Sequence, residues 1–133
     1  MKYVYVATFV PFEDGTGYEC RVPDIPHCVT SGTDMADALN MIQDAACAML
    51  TVYEDDGMPI PPARSVYKVT APEGGFCSLI ALDTDAWRRA TDTHAVKKTV
   101  SVPAWMAYQA ERQGISLSQT LQETLRVRLS YNR

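Results

Sequence analysis

Lys97-Lys-Thr-Val-Ser-Val-Pro103 is the stretch on which the fold turns. Val100 and Val102 share one face and Lys97, Thr99 and Ser101 the other, the period-2 alternation of a strand. Pro103 then opens a helix, because the N–H it lacks has no partner at a helix start. Met106 and Ala110 lie on one stripe, Trp105 and Tyr108 lie nearby, and Gly114 supplies the stop. Ser116-Leu-Ser-Gln119 has capping-box spacing. Leu117, Leu121, Leu125 and Leu129 then recur every fourth residue as a continuous apolar stripe. The spacing predicts a short strand, a helix, a glycine turn and a second helix.

A tail of roughly 35 residues cannot bury this Leu, Val and Trp surface alone. Two copies can, with their strands paired across a twofold axis as a two-stranded ribbon and four helices behind it. Val100, Val102, Met106, Leu121 and Leu125 are the expected dimer core. Lys97, Thr99 and Ser101 of each chain then face outward together. A two-stranded ribbon fits the major groove of DNA, where such side chains reach base edges. The free N–H groups at the start of the second helix, around Ser116, Leu117 and Ser118, suit a phosphate. The plainer alternative is a helical hairpin that only dimerises.

Upstream, the stretch 2–10 is apolar on both faces and reads as a central strand. Asp14-Gly15 marks a hairpin turn, and Tyr18, Cys20 and Val22 alternate with Glu19 and Arg21 as a half-buried strand. Pro23-Asp-Ile-Pro26 breaks it, and Cys28-Val-Thr-Ser31 is a short third strand. Asp34 caps a helix whose apolar face carries Met35, Ala38, Leu39, Ile42, Ala46, Met49 and Tyr53. Pro59-Ile-Pro-Pro62 is an extended connector. Phe76–Leu82, again apolar on both faces, is a fourth strand. The expected class is α+β: a β-β-β-α-β domain over 1–83, a linker with at most a helical turn over 84–96, and the strand-helix-helix domain over 97–133.

The charge is uneven. Residues 1–96 hold 6 Lys and Arg against 14 Asp and Glu, a net −8; residues 97–133 hold 6 against 2, a net +4. Such asymmetry points to two modules with different partners. The basic tail suits phosphate, and the acidic part suits a basic protein. At 47% hydrophobic and 21% charged residues, the chain of 133 is neither disordered nor collagen-like. No apolar run nears the roughly 20 residues of a membrane helix, and the N-terminal stretch lacks a basic start and a cleavage site, so a cytoplasmic protein is expected.

Nearly the whole chain resembles the HicB family, the antitoxins of HicA–HicB toxin–antitoxin pairs. In the N-terminal part the likeness rests on Tyr3, Gly17-Tyr18, Val22-Pro-Asp-Ile-Pro26, Cys28-Val-Thr-Ser-Gly32 leading into Asp34-Met-Ala-Asp-Ala-Leu39, and Pro59-Ile-Pro-Pro62. In the C-terminal part it rests on Thr99-Val-Ser-Val-Pro103 and Gly114-Ile-Ser-Leu-Ser118, which are similar to the ribbon-helix-helix tail of one branch of the family. The resemblance implies a truncated RNase H-like fold for the first domain and the silencing of a HicA-like ribonuclease. For the tail it implies dimerisation and binding to the operon's own operator DNA. Three departures stand out, one of them the Ala36-Asp37 start in place of a more usual Glu-rich one. His27 stands where the family usually has Gly, and Leu117 where many such tails have Arg between two serines.

No enzyme is expected. Two-metal nuclease chemistry needs several carboxylates converging on ions, and the first strand has none. Asp34 and Asp37 are explained by capping. Cys20, Cys28, Cys47 and Cys77 form no C-x-x-C pair, so free thiols, no metal and no cofactor are expected. Glu13, Asp14 and Glu19 are the candidate contacts for a basic toxin. The partners expected are that toxin, operator DNA and a second copy, as a homodimer with a tetramer as the alternative, and no membrane. The rival function is a stand-alone ribbon-helix-helix regulator whose first domain oligomerises or senses a ligand.

Overall fold

The computed structural model describes residues 1–131. Arg133, counted above with the basic tail, lies outside the described residues. The elements are β1 (Lys2–Pro11), β2 (Tyr18–Arg21), β3 (Val29–Gly32), α1 (Met35–Asp55), β4 (Phe76–Asp83), α2 (Thr84–Thr91), α3 (Ala104–Arg112) and α4 (Leu117–Tyr131). They fall into two compact units, Met1–Thr93 and the residues from His94 onward.

In the first unit an antiparallel sheet of order β3-β2-β1-β4 is backed by α1. β1 is central, as its two apolar faces require. One face, with Tyr5, Ala7 and Phe9, packs with Cys20, Ile80 and Leu82 against Ala38, Ile42, Ala46 and Leu50 of α1. Asp34 caps α1 by accepting from the Asp37 N–H at 2.8 Å, and Asp37 reaches back to the Thr33 N–H at 2.8 Å. The helix sits so close to the sheet that a Cβ on Gly32 would lie 2.3 Å from the Ala38 nitrogen. On the other face Val6 and Thr8 are also buried. The segment around the buried Val69 lies on that side, where the Val69 carbonyl accepts from Cys77 Sγ at 3.8 Å.

The break after β2 is a turn that satisfies its own backbone. Val22 N–H donates to Cys28 C=O, Ile25 N–H to Val22 C=O, and Cys28 N–H to Ile25 C=O. His27 completes it at φ +63°, a conformation that favours glycine. A glycine, which the resemblance implies at this position, would be less strained there.

The structure corrects two expectations. Residues 84–91, expected as a linker, form α2. Asp83 caps it by accepting from the Ala86 N–H at 3.1 Å, and Trp87 Nε1 donates to Asp44 of α1 at 2.8 Å. Pairings so distant in sequence leave no local apolar stripe to read. β4, read as a strand apolar on both faces, is an edge strand with Leu79 and Ala81 exposed. Residues 97–102 carry the strand alternation but no ladder, because strand hydrogen bonds need a second strand and unit two of a single chain offers none.

Candidate functional site

In the second unit α3 follows Pro103, and Gly114 turns the chain at φ +68°. That turn lets Ile115 N–H reach Ala110 C=O and Gly114 N–H reach Glu111 C=O. Ser116 then caps α4, accepting from the Gln119 N–H at 3.3 Å. The N–H groups of Leu117 and Ser118 make no hydrogen bond among the described residues. They form an open, positive helix end.

No described residue of this unit is buried. Its large apolar side chains instead lie together on an open surface. Val100, Val102, Leu117 and Leu121 line one groove of about 370 Å³, with Ser101, Thr120 and Thr124 at its polar margin. A neighbouring groove is lined by Lys97, Lys98, Ser118, Leu121 and Leu125. Four of the five expected dimer-core residues thus meet in these two grooves. The fifth, Met106, lies exposed on α3. Of the expected DNA contacts, Lys97 and Ser118 share a groove, Ser101 borders the other, Thr99 is exposed, and Ser116 and Leu117 mark the α4 end. The exposed Trp105 and Tyr108 of α3 were noted only as neighbours of the stripe. Arg112 lies 5.8 Å over the Tyr108 ring and donates to its hydroxyl at 3.3 Å; the 108–112 spacing is the signal that finds the pair.

In the first unit the three expected toxin contacts differ in how free they are. Glu13 and Asp14 sit in the β1–β2 turn. Asp14 accepts from the Thr16 hydroxyl at 2.7 Å and the Thr16 N–H at 3.0 Å, which hold its carboxyl below the usual range. Glu19 is paired with Arg21 at 2.8 Å. Much of the remaining acid is used internally: Asp24 pairs with Arg64 at 2.6 Å, Asp55 with Arg88 at 2.9 Å, and Asp34 and Asp83 cap helices. The charge that faces a partner is smaller than the count of acids suggests.

A polar cluster that the sequence does not announce ties the open end of the sheet to α1 and α2. Glu54 accepts from Tyr3 Oη at 2.8 Å, Thr84 Oγ1 at 3.0 Å and Arg88 Nη2 at 3.2 Å. Burial pushes the Glu54 carboxyl up, but these three hydrogen bonds outweigh it and hold the group below its ordinary value. Burial and the Glu54 carboxylate push the Tyr3 hydroxyl up to about 12. This is a strut: both Glu54 carboxylate oxygens accept from the protein itself. Among the described residues no three metal-ligating side chains converge, and no helix is long and apolar enough to cross a membrane.

A sheet-and-helix unit joined to a small helical unit with an open apolar face defines a mixed α+β protein whose candidate sites are surfaces. The HicB-like antitoxin family of bacterial toxin–antitoxin systems matches residues 5–124, and the chain belongs to that family. Two curated relatives come from Photorhabdus laumondii. Antitoxin HicB 2 is 33% identical over 78 residues, which is 56% of each chain. Antitoxin HicB 1 is 39% identical over 57 residues, 43% of this chain and 36% of that one. The chain therefore spans about half or less of the curated relatives it matches. A toxin–antitoxin complex from Streptococcus pneumoniae contains a chain with TM-score 0.60 at 20% identity, covering 96% of this chain and 99% of that one, a likeness of fold. The N-terminal domain of the Burkholderia pseudomallei antitoxin HicB matches with TM-score 0.51 at 25% identity, covering 62% and 99%.

Proposed function

We propose that this protein is the antitoxin of a HicA–HicB-type pair. Its first unit, with a truncated RNase H-like arrangement over residues 1–83, binds a small basic HicA-like ribonuclease and covers its RNA-cleaving site. Its residues 97–133 form a ribbon-helix-helix dimer that binds operator DNA and represses the operon. The observation that carries the reading is the open face of the second unit. Val100, Val102, Leu117 and Leu121 lie side by side, exposed, next to a stretch bearing Lys97, Thr99 and Ser101. A second copy satisfies both halves of that surface at once, burying the valines and leucines and completing the ladder that residues 97–102 lack. The polar faces then meet as a ribbon of a width the major groove accepts, and the free N–H groups at Leu117 and Ser118 lie at an anion-binding helix end. Attraction between the acidic first unit and a basic toxin speeds their encounter, with Glu13 and Asp14 freer to contribute than the paired Glu19.

The test is co-expression with the product of the neighbouring gene, with only this chain tagged. A small basic protein that co-purifies, is toxic alone and is silent in the complex is the expected result. A chain that purifies alone yet shifts its own upstream DNA makes it a stand-alone regulator. A chain that does neither ends both readings.

A further inference from the structure

α2 is attached to the first unit by other means than α1. α1 buries Ala38, Ile42, Ala46 and Leu50 against the sheet, whereas Thr84 is the one buried residue of α2. Thr84 belongs to the sheet end as much as to the helix: its N–H donates to Met1 C=O at 3.0 Å and its hydroxyl to Glu54 at 3.0 Å. Beyond it Asp85, Ala86, Arg89, Ala90 and Thr91 are exposed, and the half-buried Trp87 is the single apolar anchor. The remaining anchors are polar or charged. Arg88 spans the Asp55 carboxylate with both terminal nitrogens, at 2.9 and 3.3 Å, and reaches Glu54 at 3.2 Å and the Thr51 carbonyl at 3.3 Å. Trp87 Nε1 donates to Asp44 at 2.8 Å, and Asp85 accepts from the Met1 amino group at 2.8 Å. A helix of eight residues does not persist in water by itself, so residues 85–91 are helical only while docked. The pair that docks them lies open to water, with 38% of the Arg88 and 62% of the Asp55 side chain exposed, and pairs of that kind are weak and screened by salt.

We infer that α2 is a charge-held latch on α1. Residues 85–91 leave α1 and unwind, with the buried Thr84 as the pivot, while the sheet and α1 stay folded. Local opening of this kind falls on the segment with the fewest buried apolar contacts, which in this unit is α2. The connector without helix or strand then grows from the twelve residues 92–103 to the nineteen residues 85–103. Its fully extended reach grows from about 40 Å to about 65 Å. The latch opens when the Arg88 pairs are screened, or when another cation takes Asp55 and Glu54 from Arg88. The charge around the acidic end of α1 thereby sets the length of chain between the two units. The inference does not depend on what either unit binds.

The test is amide hydrogen exchange of the full chain, read by mass spectrometry on peptides from 84–91 and from α1. Sodium chloride is raised from about 0.1 M to about 1 M, which shortens the Debye length from about 10 Å to about 3 Å. The expected result is faster exchange in 84–91 with α1 unchanged. Salt does not weaken apolar burial, so a helix held by the Trp87 ring would keep its rate or slow down. Arg88→Gln should speed exchange of 84–91 roughly threefold or more at low salt and remove most of the salt response, again with α1 unchanged. Arg89→Gln is the control: it removes the same charge from the same turn, but Arg89 makes no ion pair among the described residues, and its exchange should follow the parent. A rate in 84–91 that ignores salt overturns the inference, as do equal effects of the two substitutions. Exchange of 84–91 and α1 that rises together also overturns it, because α2 would then open only with the whole unit.

Discussion

Leu121→Ala separates a shared core in the second unit from a merely exposed helix face. In the single chain 42% of Leu121 is exposed, and full burial of a leucine side chain is worth about 1.5–3 kcal/mol. Covering the exposed part on dimerisation therefore contributes roughly 0.6–1.3 kcal/mol per copy. A twofold dimer carries two copies, so the association gains about 1.3–2.5 kcal/mol from this residue. Alanine keeps only the Cβ, and most of that is lost, which weakens the dimer by roughly ten- to fiftyfold in Kd. Sedimentation equilibrium across a concentration series reads it directly. Val127→Ala is the matched control: Val127 is 57% exposed, and six residues at about 100° each place it about 120° round α4 from Leu121. Val127→Ala should leave Kd unchanged. If Leu121→Ala associates like the parent, or if both substitutions weaken it equally, the grooves beside residues 97–102 are not a dimer seam and the ribbon has no basis.

Thr99→Ala should relax discrimination between operator and altered sequences by about 1–3 kcal/mol at the affected base pair, whereas Lys97→Ala should weaken all sequences alike and reduce the salt slope by about one; gel-shift titrations at several salt concentrations tell them apart. Gly32→Ala puts a Cβ 2.3 Å from the Ala38 nitrogen, against backbone that cannot yield, and should cost about 1–3 kcal/mol or more in a urea midpoint; an unchanged midpoint would mean that α1 shifts freely on the sheet. Glu54 is held below its ordinary value, so its contribution is present above the ordinary glutamate range, near 4.3, and is lost as pH falls through its folded value. Stability should drop on acidification in that window, and Glu54→Gln should flatten the drop while lowering stability at neutral pH; parallel curves for parent and variant would remove Glu54 from the strut.

What the sequence made legible, and what it hid, follows from the range of the interactions. α1 was readable because its determinants are local: Asp34 and Asp37 at one end and Ala38, Ile42 and Ala46 at helical spacing. The Pro23–Pro26 turn was readable for the same reason. α2 was not, because its anchors, Trp87 on Asp44 and Arg88 on Glu54 and Asp55, lie 43, 34 and 33 residues away. The clip between Arg64 and Asp24, 40 residues apart, left no trace for the same reason.

The acidic count misled in the opposite direction. It treated every carboxylate as available, yet caps and ion pairs consume Asp24, Asp34, Asp55 and Asp83 within the unit. A local count measures charge, and only the fold says which charge is still free.

The apolar patterns of β4 and of the second unit hid something different. Hydropathy states that a side chain belongs away from water; it does not state what covers it. Phe76–Leu82 reads as a strand apolar on both faces, and Leu117–Leu129 as a helix with an apolar stripe. In the single chain Leu79, Leu117, Leu121, Leu125 and Leu129 are all exposed. In the second unit the misfit falls where a period-correct apolar pattern meets a missing hydrogen-bond ladder, along residues 97–102. A pattern that is correct and a ladder that is missing are satisfied by one object, a second strand carried by another chain. That disagreement between the sequence and the single chain marks where association should be sought, and it is open to a substitution on an exposed leucine that spares the folded unit.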